Sequence, residues 1–291
     1  MLASNEPCRA LASRLDLDVT IDSGQAFHWM PAGEGLGYYG CIGKELVRVW
    51  MENGQLRAEP EDALPRVKHY FALDEDWESI SSTFPRDDEF LAAALQYCPG
   101  LHLLRQPAWE CLGSFITSSM KQVAHIRQIS LRLRERYGVE KRLGCWRAST
   151  YPEPERLAEA GEEALRACGL GYRAKSLHAA AQRVASGEVD LEAASHLDDR
   201  ELQELLMQFY GVGEKIAHCV MLFSYGRMAS FPVDVWIERI LREKYFAGKR
   251  SKEVTKRELI EFAALHFGKY GGYAQQFLFH YARKGLGRQA L

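Results

Sequence analysis

The chain has 291 residues, of which 47% are hydrophobic, and a formal net charge of −2. This length and apolar content are enough to bury the core of one domain, or of two to three subdomains. A net charge this close to zero gives no overall sign of nucleic-acid binding. No apolar run approaches the roughly 20 residues that would span a membrane, so we expect no membrane partner.

The charges are distributed unevenly along the chain. Residues 1–100 contain 8 Lys or Arg against 17 Asp or Glu, whereas residues 236–291 contain 12 against 5. This asymmetry favours a protein with one DNA-facing side, although a charge run is more often a solvated face. Seven scattered cysteines predict neither a disulfide framework nor a zinc site, and no signal sequence is expected. These features are typical of a reduced, cytosolic protein.

The N-terminal region alternates between apolar and polar positions and is rich in aromatic and β-branched residues. We predict four strands, at 26–30, 38–42, 46–50 and 55–58, and two helices, at 63–73 and 77–84. Asn53-Gly54 is a strong hairpin signal between the last two strands. Residues 87–291 read as helical nearly throughout. The pattern predicts an α+β fold in which an antiparallel sheet precedes an all-α region.

A helix–hairpin–helix is predicted over residues 199–225. Leu202, Leu205 and Leu206 recur at helical spacing, and a second helical period begins at Ile216. Gly211 and Gly213 break the period between them. Such a hairpin can direct backbone N–H groups and a helix N-terminus at a phosphate, although an ordinary helical turn would show the same glycines.

Lys215 and Asp234 are the candidate catalytic residues. Lys215 is predicted in the first turn of the second hairpin helix, where the macrodipole and the apolar neighbours Val212 and Ile216 favour a neutral amine. A neutral amine can form a Schiff base, whereas most lysines are simply solvated. Asp234 precedes a helical run and is predicted to be its N-cap. If its carboxylate also faced the amine, it would stabilise positive charge there.

These residues carry a resemblance to a known family. Gly211-Val212-Gly213 with Lys215, followed by Pro232-Val233-Asp234, resembles the helix–hairpin–helix, Gly/Pro-Asp superfamily of DNA glycosylases. Within it, the chain is similar to the 8-oxoguanine DNA glycosylase/AP lyase family. The resemblance implies that the Lys is the nucleophile and the Asp its essential partner. It also implies that the N-terminal sheet domain is TBP-like.

The resemblance extends to the residues that bind the damaged base. Ser23-Gly24-Gln25-Ala26-Phe27 and Trp29 match a family segment in which the Gly carbonyl accepts the N7–H of 8-oxoguanine. The family also implies a lesion pocket formed by Cys219, Gln275 and Phe279. The matching Gln binds the Watson–Crick edge of the base, and the matching Phe stacks on its ring. Without the resemblance, Gly24 would be an ordinary strand-edge glycine and Phe279 a core residue.

Further family positions imply contacts to DNA. Tyr172 matches a wedge that enters the vacated base stack, and Arg173 matches a residue that contacts the opposite base; alternatively, Tyr172 packs at a helix entry. Four departures from the eukaryotic pattern are Met120-Lys121 for Asn-Asn, His125 for Arg, Trp236 for His, and Tyr210 for Pro. The first two put opposite-base selectivity in doubt. The full set of expected DNA-binding residues is Met120, Lys121, His125, Tyr172, Arg173, Gly211, Val212, Gly213 and Trp236.

The implied function is excision of 8-oxoguanine from double-stranded DNA, followed by β-elimination at the abasic site. We expect a sheet domain over 1–86 and a helical region over 87–291, in two subdomains formed by 118–215 and by 87–117 with 216–291. We expect a monomer with no cofactor beyond a monovalent cation at the hairpin. No cysteine follows Cys219, so no iron–sulfur cluster is expected. The compartment is the cytoplasmic nucleoid if the source is bacterial and the nucleus if it is eukaryotic.

Two alternatives remain open from the sequence. One is a glycosylase that acts on a different damaged base. The other is a non-catalytic helix–hairpin–helix module that only binds DNA. The second alternative requires neither a Lys215/Asp234 pair nor a pocket built on Gln275 and Phe279. Trapping of the protein on lesion DNA with borohydride separates a catalytic protein from a binding module.

Overall fold

The computed structural model describes residues 15–118, 122–246 and 253–286. The described chain divides into two compact units. One contains the described residues within 15–23, 72–103 and 226–286, and the other contains those within 24–71 and 104–225. We call these the mixed-terminal unit and the sheet–hairpin unit. The predicted division at residue 86 follows the family's domains and stays a prediction.

The sheet–hairpin unit contains the predicted antiparallel sheet. Its strands pair in the order β1 (Met30–Pro31), β2 (Tyr38–Ile42), β3 (Glu45–Glu52) and β4 (Gln55–Glu59). Asn53 and Gly54 both have positive φ, of 51° and 73°, in the two-residue loop between β3 and β4. Positive φ at both central positions gives the turn a twist that matches its strands, which confirms the Asn-Gly hairpin. Val47 and Val49 of β3 are fully buried.

The predicted first strand is wrong for most of its length. Only Met30 of residues 26–30 is in β1, and the residues before it are irregular. Phe27, His28 and Trp29 are 3%, 3% and 1% exposed. A strand with one solvent face would expose every second side chain. Three consecutive buried side chains instead accompany an irregular backbone at these positions.

Helices make up most of the remaining sheet–hairpin unit. Leu177, Leu202 and Leu206 are fully buried in it. The unit also contains a two-stranded hairpin, β5 (Glu140–Leu143) and β6 (Trp146–Ser149), within the region predicted to be helical. Both strands are at least partly exposed and show no apolar alternation, so no strand pattern was visible in their residues. The α-helices in the described part of this unit are Leu64–Tyr70, Ala108–Ser118, Val123–Tyr137, Pro154–Leu165, Arg173–Ala185, Asp199–Met207 and Glu214–Phe223.

The mixed-terminal unit is helical. Its core contains Trp77, whose ring centroid lies 5.8 Å from that of Tyr273 and 5.4 Å from that of Phe277. These aromatic side chains supply large buried apolar surfaces. Across the described ranges, no helix is long and apolar enough to cross a bilayer. The α-helices in the described part of this unit are Leu17–Asp22, Trp77–Ser82, Glu89–Tyr97, Val235–Ile240, Lys256–Phe267 and Gly271–His280.

Candidate active site and nucleic-acid interface

The predicted helix–hairpin–helix is present. Its first helix, Asp199–Met207, begins with a capping box in which the Asp198 side chain and the Glu201 backbone N–H are 2.8 Å apart. Gly211 follows with φ of +82°, and a Cβ there would lie 2.4 Å from the Ser176 hydroxyl oxygen. Both the backbone conformation and the close packing therefore require glycine at this position.

Gly213 has a different role in the same hairpin. It is the N-cap of the helix Glu214–Phe223, and no side chain caps that helix. A Cβ at Gly213 would meet nothing within 4 Å. The first N–H groups of this helix therefore point from an open, uncapped end, which is where an anion binds best.

Lys215 is the second residue of that helix and is half-buried. Its Nζ lies 5.3 Å from the centroid of the Phe115 ring. Within the parts of the chain that the structure describes, Lys215 forms no ion pair with a carboxylate, so no acid neutralises it by a direct contact. Cys219 follows one helical turn later and is 4% exposed. Phe115 was not singled out from the sequence, because a buried aromatic on an apolar helix reads as core.

Arg173 and Tyr172 lie beside the hairpin. Arg173 donates from Nη1 to the Gly211 carbonyl at 3.1 Å, and its guanidinium carbon lies 4.7 Å from the Tyr172 ring centroid. The Tyr172 side chain is 57% exposed. A large aromatic residue left outside the core favours the wedge interpretation over packing at a helix entry. His125 is exposed in the first turn of the helix Val123–Tyr137.

Gly24 also lies in the sheet–hairpin unit. Its φ is +85°, a conformation that L side chains rarely adopt. The next residue, Gln25, is held by two hydrogen bonds. Its side-chain oxygen accepts from the Leu104 N–H at 2.8 Å, and its backbone carbonyl accepts from the Gln106 side-chain amide at 3.0 Å. The backbone at Gly24 is therefore held in place by buried hydrogen bonds.

Asp234 lies in the mixed-terminal unit and caps the helix Val235–Ile240. Its side chain accepts from the Ile237 N–H at 2.9 Å, which confirms the predicted N-cap. A carboxylate at a helix N-terminus is stabilised in its charged form by the macrodipole. Trp236 lies in the first turn of the same helix and is partly exposed, next to Val235, which is 81% exposed.

Gln275 is the most informative side chain of the predicted base pocket. It lies on the helix Gly271–His280 and is 4% exposed, yet its amide oxygen is buried without a hydrogen-bond partner. Leaving a buried acceptor unpaired costs about 1–3 kcal/mol. Its neighbour Gln276 donates to the Ser23 carbonyl at 2.9 Å. Phe279 is partly exposed on the next turn, where the Arg283 guanidinium lies 5.7 Å from its ring centroid.

The structure thus distributes the predicted residues over both units. The sheet–hairpin unit holds Gly24, His125, Tyr172, Arg173, Gly211, Val212, Gly213, Lys215 and Cys219, and the mixed-terminal unit holds Asp234, Trp236, Gln275 and Phe279. Met120 and Lys121 lie outside the described residues. Within the described ranges, no three His, Cys, Asp or Glu side chains are grouped so that they could hold a metal ion.

A buried polar cluster in the sheet–hairpin unit was not predicted from the sequence. Glu110 forms an ion pair with Arg134 and lies 3.3 Å from the His28 ring nitrogen. Burial, reinforced by the Arg134 charge, lowers the pKa of His28 well below its ordinary value. Burial raises the pKa of Glu110, against the opposing effect of Arg134. His28 and Arg134 also line a cavity of about 330 Å³, but no predicted site residue does.

Comparison with known proteins assigns the fold and the hairpin to a family. The family model described as "HhH-GPD superfamily base excision DNA repair protein" matches residues 114–264. A second family model, "8-oxoguanine DNA glycosylase, N-terminal domain", matches residues 9–112. The chain belongs to the helix–hairpin–helix, Gly/Pro-Asp superfamily of base excision DNA repair proteins. Within this superfamily it belongs to the 8-oxoguanine DNA glycosylase family.

Two solved glycosylase structures resemble the chain over nearly its full length. MBOgg1, solved with a low-affinity DNA ligand, is 33% identical, with 95% of this chain and 94% of that one covered and a TM-score of 0.87. The Clostridium acetobutylicum 8-oxoguanine glycosylase/lyase, solved with double-stranded DNA carrying cytosine opposite 8-oxoguanine, is 30% identical, with 93% and 92% covered and a TM-score of 0.86.

Two curated relatives are named as N-glycosylase/DNA lyases. The "Probable N-glycosylase/DNA lyase" of Methanothermobacter thermautotrophicus is 28% identical and covers 82% of each chain. The "N-glycosylase/DNA lyase OGG1" of Arabidopsis thaliana is also 28% identical, with 94% of this chain and 79% of that one covered. The similarity to these two relatives therefore extends over both the sheet and the helical region of this chain.

Proposed function

We propose that this glycosylase excises 8-oxoguanine from double-stranded DNA and then cleaves the abasic site by β-elimination. The observation that supports the proposal most directly is the buried amide oxygen of Gln275, which has no hydrogen-bond partner. The Watson–Crick edge of a guanine-type base presents N–H donors, which such an acceptor would pair. A bound base would thereby remove the cost of the unpaired oxygen.

Lesion and normal base differ at N7. 8-Oxoguanine carries a proton on N7, whereas guanine presents a lone pair there. The Gly24 carbonyl accepts the N7–H of the lesion and repels guanine. In the family pattern, Phe279 matches the residue that stacks on the flipped base, and Cys219 matches the residue whose polarisable sulfur lines the other face of that base. Two hydrogen bonds fix Gln25, the residue next to the Gly24 carbonyl.

Lys215 is the nucleophile. Its Nζ lone pair forms a bond to C1′ while the bond from C1′ to N9 breaks, and that electron pair leaves with the base, which takes up a proton. The nitrogen then loses a proton and the sugar ring opens to a Schiff base. Removal of the C2′ proton expels the 3′ phosphate. The Asp234 carboxylate stabilises the positive charge that develops on the sugar during base departure.

DNA docks through its phosphates on the hairpin. The open N-terminus of the helix Glu214–Phe223 offers N–H groups and a positive dipole end. A monovalent cation at the hairpin would be held by backbone carbonyls, each of which has two lone pairs. One lone pair of the Gly211 carbonyl already accepts a hydrogen bond from the Arg173 guanidinium. We propose that the protein acts as a monomer in the compartment that holds the genomic DNA.

Borohydride trapping on a duplex with 8-oxoguanine opposite cytosine tests the chemistry. We expect the parent protein to form a covalent adduct and release the base, whereas Lys215→Gln forms none and still binds DNA. Lys44→Gln is the matched control, because the Lys44 side chain is 80% exposed on a turn of the same unit. Equal trapping by Lys215→Gln and its parent would refute the nucleophile. Binding without any base release by the parent would instead indicate a binding module.

A further inference from the structure

Lys175 and Tyr210 form a cation–π pair at the hairpin, and neither residue takes part in the proposed catalytic steps. Tyr210 directly precedes Gly211, and its side chain is 56% exposed. The Lys175 Nζ lies 5.0 Å from the centroid of the Tyr210 ring. A cation within about 6 Å of a tyrosine face is attracted by the ring quadrupole. The ring therefore restricts a side chain that would otherwise be free to move in solvent.

The positive charge of Lys175 is unfavourable at its position in the helix when no anion is bound. It is the third residue of the helix Arg173–Ala185, whose first turn contains no acidic residue. A cation in the first turn of a helix opposes the macrodipole. Arg183 in the last turn of this helix is paired with Glu188 at 2.7 Å, but Lys175 has no carboxylate partner among the described residues. An external anion would compensate this charge.

The neighbouring hairpin would bring an anion close to Lys175. Arg173, two residues before Lys175, bonds the Gly211 carbonyl, so the start of this helix is fixed against the hairpin tip. The proposed phosphate site of the hairpin is the open helix end at Gly213. A nucleic-acid strand that places one phosphate there carries further phosphates at regular spacing along its backbone.

We propose that Lys175 binds a second DNA phosphate beside the hairpin and that Tyr210 is its positioning residue. The inference rests on the proposed function, since it extends the docking surface of the same site. It also gives a role to a position where the family pattern has Pro. A proline offers no aromatic face, so the Lys175–Tyr210 pair is specific to chains with an aromatic residue there. The contact reads no base and adds affinity on any sequence.

The test is the salt dependence of DNA binding. Dissociation constants for a duplex with 8-oxoguanine opposite cytosine are measured from 50 to about 300 mM KCl in the Lys215→Gln background, which prevents turnover. Loss of one phosphate contact reduces the slope of log affinity against log salt by about 0.9. We expect Lys175→Gln to show this reduction and about tenfold weaker binding at low salt, the scale of one charge-assisted hydrogen bond. Lys44→Gln should leave the slope unchanged.

The tyrosine variants separate positioning from a direct contact. Tyr210→Phe keeps the ring face and should bind as the parent does. Tyr210→Ala should weaken binding by about two- to fivefold, the scale of an exposed cation–π contact. Combined with Lys175→Gln, Tyr210→Ala should cause no further loss. An equal additional loss in that background would overturn the positioning role. Thermal melting checks that each variant is folded.

Failure of this inference can be told from failure of the proposed function. A steep salt dependence in the parent with an unchanged slope in Lys175→Gln overturns the second phosphate contact and leaves the glycosylase assignment intact. A flat dependence in the parent, together with no borohydride adduct when Lys215 is present, overturns the proposed function itself.

Discussion

Replacement of Gln275 should separate activity from stability. The Gln275 amide oxygen is buried and unpaired, and the whole side chain is 4% exposed. Leucine has a similar size and no polar atom, so Gln275→Leu removes a desolvation cost of about 1–3 kcal/mol from the folded protein. For a chain of this size, about 1 kcal/mol corresponds to a shift of about 2 °C. We therefore expect a Tm that is unchanged or raised by up to about 6 °C.

The same change should reduce excision. If the amide oxygen accepts from the Watson–Crick edge of the lesion, its loss leaves the donors of the base unpaired at a cost of about 1–3 kcal/mol, or roughly 5- to 150-fold in rate. Single-turnover excision from a duplex with 8-oxoguanine opposite cytosine measures this loss. Excision by Gln275→Leu at the parent rate would refute the base contact.

The adjacent glutamine provides the control. Gln276 is 2% exposed and donates to the Ser23 carbonyl at 2.9 Å. Gln276→Leu should therefore lower the Tm, because it removes a satisfied buried hydrogen bond. The two substitutions are chemically identical and one residue apart, yet they should change the Tm in opposite directions. A marked fall in Tm for both would show that the Gln275 oxygen has a partner after all.

Four further predictions follow from the same geometry. Asp234→Asn should lower single-turnover excision by roughly 10² or more with little change in Tm, since asparagine also caps helices. Gly211→Ala should lower the Tm, because φ is +82° and the new Cβ would lie 2.4 Å from the Ser176 hydroxyl, whereas Gly213→Ala should keep the Tm. Burial, then Arg283, lowers the pKa of His280 to about 4, so the stability it contributes is present above its unfolded value of about 6.5 and lost as the pH falls toward 4. Urea unfolding of His280→Asn should show a shallower loss over this range, by up to about 1.4 kcal/mol per pH unit. Because His125 and Met120 replace the family's Arg and Asn, excision from four duplexes that differ in the opposite base should prefer cytosine by much less than several hundredfold, with Arg173 retaining part of the preference.

Short-range signals in the sequence determined the Asn-Gly hairpin and several helix caps. Asn53-Gly54 specifies its turn because both residues tolerate positive φ, and Asp198 with Glu201 specifies a helix start by reciprocal hydrogen bonds. Asp234 caps its helix for the same local reason. Each of these features depends on residues within a few positions of one another, and the Asn-Gly turn and the Asp234 cap were accordingly predicted from the sequence.

Tertiary structure alone decided which polar groups are paired. The sequence places Gln275 and Gln276 side by side, but only packing pairs the second with Ser23, more than 250 positions away in the chain, and leaves the oxygen of the first unpaired. Residues 26–29 looked like a strand, yet their consecutive side chains are buried along an irregular backbone. Lys175 and Tyr210 meet only because the helix Arg173–Ala185 begins beside the hairpin turn. Contacts between distant segments depend on how the hydrophobic core closes, and short-range patterns in the sequence do not encode that closure.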